Sequence, residues 1–255
     1  MKNKQQSSQS EEDRLLISRV EDAAGAVTHT WSPRFIGFLD GHQHMVAQAA
    51  INALHSDANH VFWGGYDAAE RVYLGFFPDE PDNEAFPIGA LRFDWKFGTL
   101  THRDFLGALL SLGIRRDKLG DIIISGNSCT VVAERAITDF IAQNLAKVGG
   151  SGVSCGEINL DTIVKQQEFC DLRDTIASPR LDCVVAALVN MSRTQSDRLI
   201  QSGLVQLSFE TAIDSAARVS GGATVSIRGH GRFIVDSIGP ETKKGRLRFA
   251  ARKYL

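Results

Sequence analysis

The chain has 255 residues, of which 43% are hydrophobic, with 28 Lys and Arg against 30 Asp and Glu and a formal net charge of -2. That balance suits one large or two smaller globular domains and excludes a collagen, a coiled coil or a wholly disordered chain. No stretch approaches the ~18 apolar residues of a membrane span and no hydrophobic segment follows the first lysines, so a soluble, cytoplasmic protein is expected.

In chain order, residues 1–10 are rich in Gln, Ser and Lys and predict a frayed tail. A helical pattern with Leu15, Leu16 and Val20 starts at Glu11. Residues 31–39, which include Pro33, read as a connector into a helix over 41–54 with Asp40 as N-cap. Strands at 59–63 and 72–77 flank Gly64, Gly65 and Tyr66 as a hairpin, and an acidic, Pro-containing loop follows over 78–87. The next segment predicts a strand at 88–95, a helix at 101–112 capped by Thr101 and stopped at Gly113, strands at 121–125 and 129–132 turning at Gly126-Asn127, a helix at 134–147 and a strand at 153–158. This βαββαβ order predicts a ferredoxin-like sheet covered by two helices on one face. Phe93 and Trp95 are expected to pack in its core, and the strand at 129–132 lacks the basic-Gly-aromatic signature of an RNA-recognition motif. Residues 171–179 read as a polar linker. The overall class is α+β, divided as 1–87 (helical region with hairpin), 88–170 (ferredoxin-like domain) and 180–255 (small α+β module with a basic C-terminal tail).

The near-neutral total hides a division of charge. Residues 1–179 carry 16 basic and 24 acidic residues, whereas 180–255 carry 12 basic and six acidic. A basic surface confined to one domain points to a polyanion, because phosphate contacts dominate affinity for nucleic acid. In that module two short helices are implied, the second opened by a Ser192/Gln195 capping box, with strands at 205–209 and 224–227. A helix start with Arg193 beside it offers amide donors and a bidentate guanidinium to a phosphate. Arg198, Lys243, Lys244 and Arg246 join the candidate contacts on charge. Arg228 and Arg232 flank a Gly-rich turn where backbone can approach phosphate.

Arg180-Leu181-Asp182, Ser192-Arg193 and Leu199-Ile200-x-x-Gly203-x-Val205 resemble the RNA-binding domain named after ribosomal small-subunit protein S-four, over 180–239. Ser208-Phe209 and Gly221-Gly222 depart from the Asn-Gly and Gly-Asp of that family, both in turns. Phe38-Leu39-Asp40, the run from Phe62 to Tyr66, the run from Leu100 to Ile114, Gly120-Asp121-Ile122 and Thr242-Lys243-Lys244-Gly245-Arg246 extend the similarity along nearly the whole chain, to the YlmH family. That resemblance implies a bacterial cytoplasmic protein with a central RNA-binding domain and a C-terminal S-four domain. It also implies binding to ribosomal RNA and tRNA on the large ribosomal subunit, in quality control of stalled translation. On the same resemblance Arg180 and Arg193 grip RNA, and Ser192 and Gln195 form the helix start.

His102 and Arg103 read as further RNA contacts. Asp104, three residues after Thr101, serves the helix start, and no nucleophile or metal motif accompanies the three to suggest catalysis. His42-x-His44 lacks a third ligand of obvious spacing, and Cys129, Cys155, Cys170 and Cys183 form no CxxC pair or short Cys/His cluster. Buried free thiols, no metal and no cofactor are therefore expected. The alternatives to a non-enzymatic RNA-binding protein are an RNA-modifying enzyme of pseudouridine synthase or methyltransferase type, for which no Gly-rich cofactor loop is seen, and a cell-division-linked adaptor. No membrane partner is expected, because the chain offers no long amphipathic basic helix.

Overall fold

The structure, a computed structural model, describes residues 2–54, 58–163 and 169–254, with side chains from Glu11 onward. It comprises two compact units, Met1–Lys165 and Gln166–Leu255. No described helix is long and apolar enough to cross a membrane.

The first unit begins with α1 (Lys2–Thr30), β1 (Arg34–Leu39), α2 (Gly41–Ala53), β2 (Asn59–Trp63) and β3 (Val72–Phe77). Leu16, Val20, Ala24 and Val27 recur at helical spacing and bury one stripe of α1 against Ala47 and Ala50 of α2 and the sheet residues Ile36, Leu74 and Phe76. The expected frayed tail is instead the first turns of α1. Residues 2–10 contain neither Pro nor Gly, so a helix nucleated on the buried stripe propagates through them. The expected connector over 31–39 is also corrected: after Pro33 it forms β1, which pairs antiparallel with β3 (Ile36↔Leu74) in a sheet of order β1-β3-β2. Pro33 lies just before the strand, where its missing N–H breaks no ladder bond. The start of α2 is as expected, a capping box in which the Gln43 amide donates to Asp40 Oδ1 at 2.9 Å and the Asp40 amide to Gln43 Oε1 at 3.0 Å.

Next come β4 (Ile88–Asp94), α3 (His102–Ser111), β5 (Leu119–Ser125), β6 (Ser128–Glu134), α4 (Arg135–Asn144), the short ribbon β7 (Lys147–Val148) and β8 (Ser151–Gly152), and β9 (Ser154–Ile158). Sheet order β5-β6-β4-β9, antiparallel throughout, is that of a split βαβ arrangement. Phe105 and Leu109 of α3 and Ile141 of α4 pack on Leu91, Phe93, Cys129 and Val131, so Phe93 and Trp95 are core residues as expected. Part of the opposite face is covered by Phe38, Tyr73 and Phe77, which pack with Ile88 and Val132.

Two of the motif runs converge there. Gly64 passes so close to the following turn that an added Cβ would lie 2.4 Å from the Ala69 Cβ, and one on Gly120 would lie 2.7 Å from the Phe38 ring. These approaches bring Tyr66 to Asp121. The buried Asp121 carboxylate accepts from the Tyr66 hydroxyl, from the Glu70 amide at 2.8 Å and from the Arg71 amide at 3.1 Å. The Arg71 guanidinium donates to the carbonyls of Phe38 and Leu119, both at 2.9 Å, tying β1 to β5. Burial, with Arg116 nearby, lowers its pKa to about 10, so it remains a cation at neutral pH. Burial and the charge of Asp121 raise that of Tyr66, which keeps the phenol protonated as a donor.

The second unit contains β10 (Phe169–Ile176), α5 (Leu181–Leu188), α6 (Arg193–Gln201), β11 (Val205–Leu207), β12 (Glu210–Thr211), β13 (Thr224–Ile227), β14 (Gly231–Glu241) and β15 (Leu247–Tyr254). The antiparallel sheet has order β10-β15-β14-β13-β11-β12. Val184, Val185 and Ile200 of the helices cover Ile176, Val225, Phe233 and Phe249 on one face. Two expectations fail here. Most of the polar linker at 171–179 is edge strand β10, paired with β15 from Phe169↔Tyr254 to Ile176↔Leu247, and the last part of the basic tail, with Arg248, Arg252 and Lys253, is β15 itself. In β15, Phe249 and Ala251 point inward while Arg248 and Arg252 alternate with them, so charge masks the period of two. Cys129 and Cys183 are buried as expected, but Cys155 is only partly buried and Cys170, near the end of edge strand β10, is exposed.

Because removing one partner leaves buried polar groups unsatisfied, Tyr66→Phe should lower the stability of the first unit by about 1–2 kcal/mol and Asp121→Ala by about 3 kcal/mol or more. Urea unfolding followed by tryptophan fluorescence checks this, since Trp31, Trp63 and Trp95 all lie in that unit.

Candidate nucleic-acid interface

The helix pair of the second unit is built around one buried carboxylate. α5 is apolar except for Asp182, which is 5% exposed. Such a group stays ionised only if it is partnered. Arg180, the N-cap of α5, donates to it through Nε at 3.2 Å and a terminal nitrogen at 3.4 Å, and Arg193, the first residue of α6, donates at 2.6 Å. The Cys183 amide adds a bond of 2.9 Å to Oδ1. Beneath this trio the buried Ser196 hydroxyl lies 2.8 Å from the Asp182 carbonyl and 2.9 Å from the Arg193 carbonyl, joining the helices. Asn190, in left-handed conformation at φ +50°, turns the chain between them.

Burial of Asp182 acts to raise its pKa, but hydrogen bonds and charge from Arg193 and Arg180 prevail and hold it below the ordinary value of 3.8. The same contact raises that of Arg193. Two cations share one anion, so the cluster keeps a net positive charge. Each guanidinium also has five N–H donors, more than Asp182 engages, and the two side chains remain 46% and 58% exposed.

Of the sequence candidates, Arg180 and Arg193 are brought together by Asp182. Arg193 and Arg246 share a cleft of about 240 Å³ whose other walls include Ile176, Ala187, Asn190 and Met191. Arg246 reaches it by donating to Thr175 Oγ1 at 2.9 Å and to the Thr175 carbonyl. Ser192 and Gln195 are turned toward each other: the Gln195 amide donates to Ser192 Oγ at 3.3 Å and the Ser192 amide to Gln195 Oε1 at 3.0 Å. The helix start is therefore capped internally, and the Gln195 amide is not the open donor expected from the sequence. The start of α5 is likewise occupied, as the amides of Leu181 and Asp182 bond the carbonyls of Ala217 and Ser215 at 2.9 and 3.1 Å. The exposed guanidinium groups are thus the side-chain donors that these helix starts present. Arg198 is exposed on the last turn of α6, and Lys243 and Lys244 are exposed between β14 and β15. Arg228 is exposed in the β13–β14 turn, while Arg232 lies on the sheet face opposite the helices, near Phe209 and Tyr254. His102 and Arg103 are exposed on the first turn of α3, in the other unit, beside a Thr101/Asp104 capping box.

Sequence reasoning missed Asp182 and Ser196 as the groups that set the geometry; the signal was a lone acid in the otherwise apolar α5. It also missed the aromatic residues around Arg232. Including β10, residues 166–255 hold 13 basic and nine acidic residues, so the unit stays positive. In the first unit, the uncovered part of the central sheet presents Arg92, Asp94, Ser128 and Thr130, with Arg92 bonded to Asp94 at 3.0 Å.

Comparison with known proteins adds three findings. The family model described as "Putative RNA-binding domain in YlmH" matches residues 81–162, the central sheet with its flanking turns. Ribosome-associated protein quality control protein P2 of Bacillus subtilis (strain 168) is 31% identical over 242 residues, 93% of this chain and 93% of the relative. The solved structure of cell division protein ylmH from Streptococcus pneumoniae is 23% identical, covers 58% of this chain and 91% of that chain, and superposes with a TM-score of 0.49.

A group with a depressed folded pKa stabilises above its unfolded value, and that contribution is lost as pH falls through the folded value. For Asp182 the stabilisation is complete above 3.8 and disappears on further acidification. Amide exchange in α5 and α6, corrected for intrinsic rates, should therefore accelerate in the wild type as the pH falls below about 3.8. In Asp182→Asn it should be faster throughout and show a smaller pH dependence.

Proposed function

The chain belongs to the YlmH family, and on that premise we propose that it is a cytoplasmic, ribosome-associated RNA-binding protein of translation quality control that recognises RNA without chemical conversion. Its relative in Bacillus subtilis carries a ribosome-associated quality-control name over nearly the same length, and the matched central domain carries an RNA-binding description. The observation that carries the reading is the Arg180–Asp182–Arg193 cluster. A buried anion holds two exposed guanidinium groups side by side, so little side-chain entropy is lost when they meet a phosphate. In this reading residues 180–255 act as an S-four-type module that grips structured ribosomal RNA or tRNA on the large subunit. Arg246 extends the contact across the shared cleft, and Arg198, Lys243 and Lys244 add longer-range attraction. His102 and Arg103, exposed at the start of α3, add a contact from the central domain.

Co-sedimentation with ribosomes and separated subunits over a salt series tests the proposal. The wild type should pellet with the large subunit, and an Arg180→Ala, Arg193→Ala double variant should not. Binding to no ribosomal particle or RNA by folded protein would overturn it, and loss of a specific RNA modification on deletion of the gene would favour an RNA-modifying enzyme instead.

If about five phosphates are neutralised, the log-log salt slope of affinity should be roughly -3 to -4. Arg193→Ala alone should weaken binding about tenfold or more, as expected for a well-formed charge-assisted contact. The control Arg14→Ala, exposed on α1, should leave affinity unchanged.

A further inference from the structure

The sheet of the second unit has a face turned away from α5 and α6, and its composition is unusual. Paired residues of antiparallel strands project to the same side. The pairs Ser226↔Arg232, Thr224↔Ile234, Ile234↔Arg252 and Phe169↔Tyr254 therefore place these side chains together, opposite the core residues Val225, Phe233 and Ala251. Across this face runs a chain of rings and guanidinium groups. The Arg232 guanidinium lies 5.9 Å from the Phe209 ring centre and 5.7 Å from that of Tyr254; Tyr254 and Phe169 are 5.0 Å apart; Arg252 lies 4.7 Å from Phe169. Arg252 is held by Asp236 at 2.8 Å. Arg173 and Arg248 are exposed on the same face, so four arginines stand against Asp171 and Asp236 among the described residues there.

Phe209 marks the face further. Ser208 and Phe209 form the two-residue loop between β11 and β12, with φ of +48° and +69°. Hairpin loops with both residues left-handed favour Asn-Gly, and a bulky residue there is a steric outlier. The turn itself would be better served by Gly. Strain of this kind persists where the side chain has another use, and the ring of Phe209 stands against Arg232.

We propose that the face bearing Phe209, Arg232, Tyr254, Phe169 and Arg252 is a stacking platform for a single-stranded RNA segment, distinct from the Arg180–Arg193 cluster on the helical side. Sequence-tolerant single-strand sites combine aromatic surfaces for bases with cations for the backbone, and both are here side by side across the sheet. The rings and guanidinium groups lie on several neighbouring strands spaced about 4.8 Å apart. The excess of arginine over aspartate selects a polyanion, and the rings select one whose bases are unpaired. This platform rests on the RNA-binding reading above and extends it to a second class of RNA structure.

The test uses the full chain, a fluorescent oligouridylate of about ten nucleotides and, separately, large ribosomal subunits. Phe209→Gly relieves the left-handed strain, so it should unfold at the same temperature as the wild type or higher while binding oligouridylate about fivefold more weakly or worse. Tyr254→Leu, which keeps apolar bulk without a π face, should weaken oligouridylate similarly, and Tyr254→Phe should restore it. Arg193→Ala should weaken large-subunit binding and leave oligouridylate binding largely intact. Wild-type affinity for oligouridylate in both Phe209→Gly and Tyr254→Leu would overturn the platform while leaving the helical-side cluster standing. Absence of oligouridylate binding by the wild type would also overturn it, and absence of large-subunit binding as well would remove the RNA-binding reading on which it rests.

Discussion

A carboxylate buried in an apolar helix imposes the arrangement of the C-terminal unit. Asp182 cannot be desolvated alone, and the partners it takes come from the starts of the two helices, Arg180 before α5 and Arg193 at the first position of α6. The buried Ser196 hydroxyl spans the carbonyls of both helices beneath the pair. The juxtaposition of the two guanidinium groups therefore follows from one electrostatic requirement. Because the anion offsets only one of two cations, the cluster retains attraction for phosphate. The residue that secures the fold is also the one that aims the contacts.

The first unit has a comparable centre with a different outcome. Asp121 is satisfied by the Tyr66 hydroxyl and two backbone amides, and Arg71 by backbone carbonyls, so these polar groups are directed inward and close the region between β1, β3 and β5. This explains why the Gly64-Gly65-Tyr66 and Gly120-Asp121 runs are recognisable in the sequence: the glycines permit close approach and the polar pair uses it. Their chemistry is structural. Charge is distributed accordingly, with 15 basic and 21 acidic residues in 1–165 and the reverse bias in 166–255.

The two sides of the C-terminal sheet are thus chemically distinct. On the helical side, cations are organised by a buried anion and open onto a cleft with Arg246. On the other side, cations are organised by aromatic rings, with Arg232 between Phe209 and Tyr254 and Arg252 beside Phe169. Structured RNA, with its dense phosphate backbone, suits the first arrangement, and unpaired bases suit the second. Strands β10 and β15 make this possible by widening the sheet, which gives the outer row its length.

Features settled within a few residues were legible from the chain alone. The Asp40 N-cap, the Thr101 cap with Asp104, and the Ser192/Gln195 capping box each lie within one helical turn, and the β2–β3 hairpin and the βαββαβ order follow from hydrophobic period and turn residues. The basic bias of the C-terminal part was legible too, because charge is a property of composition. Strands β1, β10 and β15 were not, since short or charged strands show little periodicity and become strands only when a partner elsewhere in the chain supplies the ladder: β10 begins by pairing with Tyr254, near the end of the chain. Nor could the sequence reveal that Arg180 and Arg193 meet on Asp182, or that Phe209, Tyr254 and Phe169 share a face with Arg232. Sequence determined which local structures and charges the protein has; tertiary structure alone decided which of them face one another, because such contacts join residues far apart in the chain through burial and strand register.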